Sequence, residues 1–145
     1  YGNQVYVASL AVNQMAALQP ADEEIELIQV EGETHTFVQF AISPDGSTLV
    51  TGGQISGNVM VFDLAYPMAP VLTDTLQVDD HPWHQTRTPD GSNDYFPQNT
   101  ANSDEVVDER DWSLAATFEA PILAEPLGSA ISADGSLLFV SGRNT

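Results

Sequence analysis

Cysteine is absent from the 145 residues, which removes disulfides, thiolate metal centres and cysteine nucleophiles at once. Lysine is absent as well: Arg87, Arg110 and Arg143 stand against 21 acidic residues, for a net charge of −18. Phosphate backbones and anionic lipid surfaces repel so negative a chain, which argues against nucleic acid or membrane as a partner. No apolar run reaches the length of a membrane span, and no Asn-x-Ser/Thr acceptor occurs. Heptad-like apolar stripes, a Gly-x-Ser-x-Gly elbow, a phosphate loop, a His-Glu-x-x-His helix and an EF-hand loop are all missing.

What is present suffices for a folded domain, since 42% of the residues are hydrophobic. The carboxylates are spread along the chain, apart from Asp22-Glu23-Glu24 and Asp104-Glu105, so they do not form an acidic tail. They read as a solvated surface suited to high salt, where counterions screen self-repulsion. Recognition of a cation or a basic partner is the sharper alternative.

An internal repeat decides the fold class. Ser43-Pro-Asp-Gly-Ser-Thr-Leu-Val50, Thr88-Pro-Asp-Gly-Ser-Asn-Asp-Tyr95 and Ser132-Ala-Asp-Gly-Ser-Leu-Leu-Phe139 align, with Gly46, Gly91 and Gly135 spaced by 45 and 44 residues. Gly2 lies 44 residues before Gly46. Val61-Phe-Asp63 and Val106-Val-Asp108 keep the same beat, with their aspartates 45 apart. In the second unit, strands are predicted over 36–42, 49–52, 59–62 and 71–78, with a tight Asp45-Gly46 turn after the first. Four short strands in about 44 residues are the signature of a β-propeller blade. The expected architecture is all-β: about three four-stranded blades, with units near 2–45, 46–90 and 91–134 and a fourth beginning at 135–145. In the first unit, spacing assigns Asn13-Gln-Met-Ala-Ala-Leu18 to a strand against its helical propensity. A longer acidic loop is expected over 21–26, before a strand over 25–30. Three blades are fewer than the four to eight that close a ring, so the remaining blades are expected from the same polypeptide or from other chains.

The Ser-Pro-Asp-Gly turn, the short apolar strand after it and the Val-x-Asp ending resemble the YVTN-type propeller repeats of bacterial surface and periplasmic proteins. Related repeats build the propellers of nitrous oxide reductase and the haem d1 nitrite reductases. The family often carries Pro-His-Gly before the innermost strand. The matching stretches here are Phe37-Val-Gln39, Pro82-Trp-His84 and Pro126-Leu-Gly128, and none has the central histidine. The resemblance implies a periplasmic or cell-surface binding or scaffold domain, with a copper- or haem-dependent oxidoreductase as the rival.

Among candidate residues, Asp45, Asp90 and Asp134 with their glycines read as structural turns because they recur once per unit. Asp63 and Asp108 read as caps on the turn that follows them. Asp79-Asp80-His81-Pro82-Trp83-His84 is the most unusual hexapeptide, placed just before an innermost strand. His81 and His84 are candidate metal ligands, and Trp83 is a candidate aromatic anchor for a binding face. Pro82 biases His81 toward an extended conformation, which would set the two imidazoles roughly 10 Å apart on opposite faces. His35 could join them at the channel face. No particular cofactor is indicated.

Overall fold

The structure, a computed structural model, describes residues 4–9, 13–31, 36–79, 81–119 and 124–144. These contain thirteen strands and no helix. The first sheet holds β1 (Val5–Ala8), β2 (Gln14–Gln19) and β3 (Glu24–Gln29). The second, in order, holds β4 (Phe37–Ile42), β5 (Thr48–Gly53), β6 (Asn58–Asp63) and β7 (Val71–Gln77). The third holds β8 (Thr86–Arg87), β9 (Asn93–Gln98), β10 (Ser103–Asp108) and β11 (Ser113–Glu119). A last pair joins β12 (Ala124–Ile131) to β13 (Leu138–Asn144). Every named pairing is antiparallel between chain neighbours, as in the meander of a propeller blade.

The expectation of four strands per unit is met in full by the second and third sheets. The first has three described strands and the last two. The second, third and last sheets open with the strand before an Asp-Gly turn, so sheets are offset by one strand from units counted between glycines. Residues 13–18 give β2 despite Met15-Ala-Ala, because Met15 and Ala17 pack inward from a strand paired on both edges. The acidic loop is shorter than expected. Glu23 takes φ 55°, the Asp22 N–H reaches Gln19 O at 3.2 Å, and β3 begins at Glu24, with Glu24 and Glu26 facing water along an outer edge.

The turns repeat bond for bond. Gly46, Gly91 and Gly135 have φ of 76°, 70° and 73°, a left-handed region that costs an L-residue about 1–2 kcal/mol. Their N–H groups donate to Ser43 O, Thr88 O and Ser132 O at 2.8, 2.9 and 2.9 Å. Asp45, Asp90 and Asp134 accept the N–H two residues on at 3.0, 3.1 and 3.1 Å. Hydrogen bonds from the neighbouring hydroxyls lower the Asp45 and Asp134 carboxyls to about 2 and also lower that of Asp90. Asp63 and Asp108 cap their turns alike, through Ala65 N at 2.8 Å and Arg110 N at 2.9 Å. A register shift falls between Val61 and Phe62 in one sheet and between Val106 and Val107 in the next, the same place in the repeat.

The sheets stack face to face, and the cores lie between them. Met15 and Val30 of the first sheet meet Phe37, Leu49, Met60, Phe62 and Leu64. From the other face of the second sheet, Val50, Val59, Val61 and Val78 meet Phe96 and Val107. Phe37, Phe62 and Phe96 are fully buried, each contributing about 1.5–3 kcal/mol.

Candidate functional site

The innermost strands of successive blades run side by side and bring Pro82-Trp83-His84 of the unusual hexapeptide to the inner wall. The Trp83 N–H bonds Pro97 O at 2.9 Å, and Pro82 bridges Gln98, which docks this segment on β9. The His84 N–H then crosses to the next blade, bonding Leu127 O at 3.3 Å in a parallel bridge to Gly128. Thr86 donates its hydroxyl to Ser129 O at 2.7 Å. On the other side, the Gln85 amide nitrogen donates to Gln39 O at 3.1 Å and Val50 O at 2.8 Å. Three blades are thus laced together at residues 84–86.

Pro82 does not hold His81 extended. His81 adopts φ 62°, and its carbonyl accepts the Asn99 N–H at 3.2 Å. That turn lets Pro82 bury its ring against Gly52, where an added Cβ would stand 3.2 Å from Pro82 Cβ. The packing and the hydrogen bond outweigh the local preference of a residue before proline. His81 is half-buried and His84 exposed. Trp83 is half-buried, with its ring edge-on to His84 at 5.5 Å between centroids. Its indole N–H is buried with no partner. His35 and Asp80 lie outside the described residues. Among the described residues, no three His, Asp or Glu side chains converge in a geometry that would hold a metal ion.

A cavity of about 410 Å³ opens beside His84, walled by Gln85 and Thr86 on one side and Gly128, Ser129 and Phe139 on the other. Gln85 is 3% exposed, and its carboxamide oxygen has no partner. Ser129 Oγ is likewise buried and unpartnered. A buried acceptor left open costs about 1–3 kcal/mol, and both of these stand on residues of the cavity wall. The hexapeptide contributes His84 and the supporting stack of Trp83. Gln85 and Ser129 escaped the sequence reading, although each occupies the repeat position held by Phe40 in the second blade.

The third blade also buries carboxylates that had read as solvated. Asp94, Asp104 and Glu105 are 0%, 3% and 3% exposed. Asp94 forms a fork with Arg87, Oδ1 to Nε at 3.1 Å and Oδ2 to Nη2 at 2.8 Å, and Glu109 lies 2.6 Å from the same Nε. Burial, and then the charge of Asp94, raises the Glu109 carboxyl despite Arg87. Burial, and then the charge of Glu105, pushes Asp104 up to about 7, and neither Asp104 oxygen has a partner.

No family model matches this chain, and no curated protein matches it. Many solved structures do match. A functionally unknown protein from Desulfotomaculum acetoxidans aligns with TM-score 0.82 at 17% identity, over 97% of this chain and 44% of that one. Hydrazine synthase from Kuenenia stuttgartiensis aligns with TM-score 0.78 at 19% identity, over 93% and 37%. A catalytically inactive virginiamycin B lyase from Staphylococcus aureus with quinupristin aligns with TM-score 0.80 at 14% identity, over 95% and 45%. The fold is that of a β-propeller, and the chain spans less than half the length of these structures.

Proposed function

We propose that this chain belongs to an extracytoplasmic β-propeller of the YVTN type that serves as a binding or scaffold domain. Its ligand would sit against the inner wall at His84 and Gln85. The observation that carries the reading is the buried, unpartnered Gln85 carboxamide oxygen in the wall of a 410 Å³ cavity shared by neighbouring blades. The ligand class is a small neutral molecule that pairs hydrogen-bond donors with an apolar face, because Phe139, Val140 and Ala130 line the cavity beside Gln85, Ser129 and His84, with no carboxylate among the described lining residues. The extracytoplasmic location rests on the repeat resemblance. The domain units are those counted from the Asp-Gly turns. Further blades, from the same polypeptide or from other chains, would cover the exposed Val5 and Val7 of β1 and Leu137 beside the last pair. An oxidoreductase centred on His81 and His84 would need further ligands, and among the described residues no group of three His, Asp or Glu side chains forms that could hold a metal ion.

Amide-resolved NMR of the full chain with a set of small neutral polar compounds tests the site. Shift changes should cluster at His84, Gln85, Thr86, Gly128 and Ser129, and Gln85→Leu should abolish them while the fold persists. Changes confined to other faces, or unaffected by Gln85→Leu, would refute the assignment. Fractionation of the native cells with immunodetection tests the location: recovery in the cytoplasm alone would rule it out.

A further inference from the structure

At the far end of the third blade's sheet, the cross-strand partners Ser103↔Glu119 and Glu105↔Thr117 put four oxygen-bearing side chains on the face turned toward the second blade. The loop after β7 adds Asp79, whose N–H donates to Glu105 Oε2 at 2.9 Å. Together Asp79, Ala101, Asn102, Ser103, Thr117 and Glu119 line an open cavity of about 320 Å³, with no basic residue among the described lining residues. Asp79 and Glu119 are exposed at the rim. Ser103 forms the floor: it is 3% exposed, and its Oγ is buried with no partner. The Gln98 amide nitrogen donates to Glu105 Oε2 at 3.0 Å, while its own carboxamide oxygen stays open on the same face. Two rim carboxylates and an unsatisfied hydroxyl thus line one cavity, with no cation among the described lining residues.

We propose that this cavity binds a primary ammonium group. Three N–H donors match Asp79, Glu119 and Ser103 Oγ, and the positive charge meets a concentration of negative potential on a chain already at −18. The volume exceeds what a bare ion needs and accommodates an alkylammonium. A compact ammonium with freely turning donors suits two separated carboxylates over a hydroxyl better than a planar guanidinium, which favours a single bidentate carboxylate. The group can come from a free small amine or from a lysine of a partner protein. The site is independent of the groove at His84 and can fail or stand without it.

Calorimetric titration of the full chain at low ionic strength distinguishes the sources, with 1,4-diaminobutane in one arm and a short lysine-containing peptide in the other. Saturable binding in either arm is expected. Asp79→Asn and Glu119→Gln should each weaken it roughly tenfold, and Ser103→Ala roughly threefold to tenfold. Glu26→Gln, an exposed charge change on β3, should leave it untouched. Tighter binding of the peptide identifies a partner's lysine, and tighter binding of the diamine a free amine. Equal affinity in every variant would show only a diffuse counterion atmosphere and overturn the proposal. So would tetramethylammonium or calcium binding as tightly with the same variant dependence, because charge without N–H donors would then suffice.

Discussion

The second and third blades share a backbone and differ in what they bury. With an offset of 45 residues, Leu49 and Leu64 of the second blade become Asp94 and Glu109 in the third, and Ile42 becomes Arg87. Val59-Met60 becomes Asp104-Glu105, and Phe40 becomes Gln85. Yet the strand pairing, the bulge and the capped turns stay in place. The comparison teaches that backbone hydrogen bonding and the Asp-Gly turns carry this architecture, while the facing side chains are free to be exchanged for polar function at a cost in stability. At the position of Met15 and Val59, both buried and apolar, the third blade places an unpartnered carboxylate. Both candidate sites lie on that blade.

The largest effect is expected from removing its one buried cation. Arg87→Ala would strand Asp94, which is fully buried, and should destabilise the chain by about 3–5 kcal/mol. Replacing the whole triad with the second blade's residues, Arg87→Ile with Asp94→Leu and Glu109→Leu, should be neutral or stabilising. Urea midpoints compare the two; a single mutant no worse than the triple would show that the triad carries no buried charge.

A second effect is pH-dependent. The Asp104 carboxyl ordinarily titrates at 3.8 and is raised to about 7 in the fold. Below 3.8 both states hold the proton and nothing is lost. As pH climbs from about 4 to 7 the unfolded chain releases its proton while the folded chain keeps it, so stability falls, on the order of 4 kcal/mol in all. Above 7 the loss is constant. Glu105 and Glu109 are raised too and act in the same direction. Asp104→Val, which copies Val59, should therefore leave stability at pH 4 nearly unchanged and raise it by about 2–4 kcal/mol at pH 8. Unfolding curves at the two pH values check this; an equal effect at both would contradict it.

The smallest contrast is between turns. At Gly91 an added Cβ would stand 3.0 Å from Pro44 Cδ, whereas at Gly135 the nearest atom, Pro89 Cδ, is 3.7 Å away. Both substitutions incur the left-handed penalty of about 1–2 kcal/mol, and Gly91→Ala should cost a few tenths more because Pro44 must move. Thermal melts of the two variants measure the difference.

The architecture was legible because turn chemistry repeats locally: Asp-Gly and Val-x-Asp each specify a few bonds within five residues, at one spacing. That spacing even assigned β2 correctly against the helical leaning of Met15-Ala-Ala. The buried carboxylates were not legible one at a time, since an aspartate in a strand ordinarily faces water. Only the alignment of Asp104-Glu105 with Val59-Met60 marks them as inward. Of the hexapeptide, His84 lines the candidate cavity and Trp83 lies edge-on to His84. His81 deviated because tertiary contacts of Pro82 and Asn99 decide its φ. The Gln85 pocket needs residues 39, 85 and 129 from successive blades, a convergence that no local motif encodes.

The central claim is that the third blade has exchanged apolar packing for buried carboxylates that hold their protons toward neutral pH. Carbon-detected NMR of the Asp104 carboxyl, titrated in the full chain, tests it most directly. The account predicts a midpoint near 7. A midpoint at the ordinary value of 3.8 would mean that Asp104 is solvated, and the contrast between the two blades would be lost.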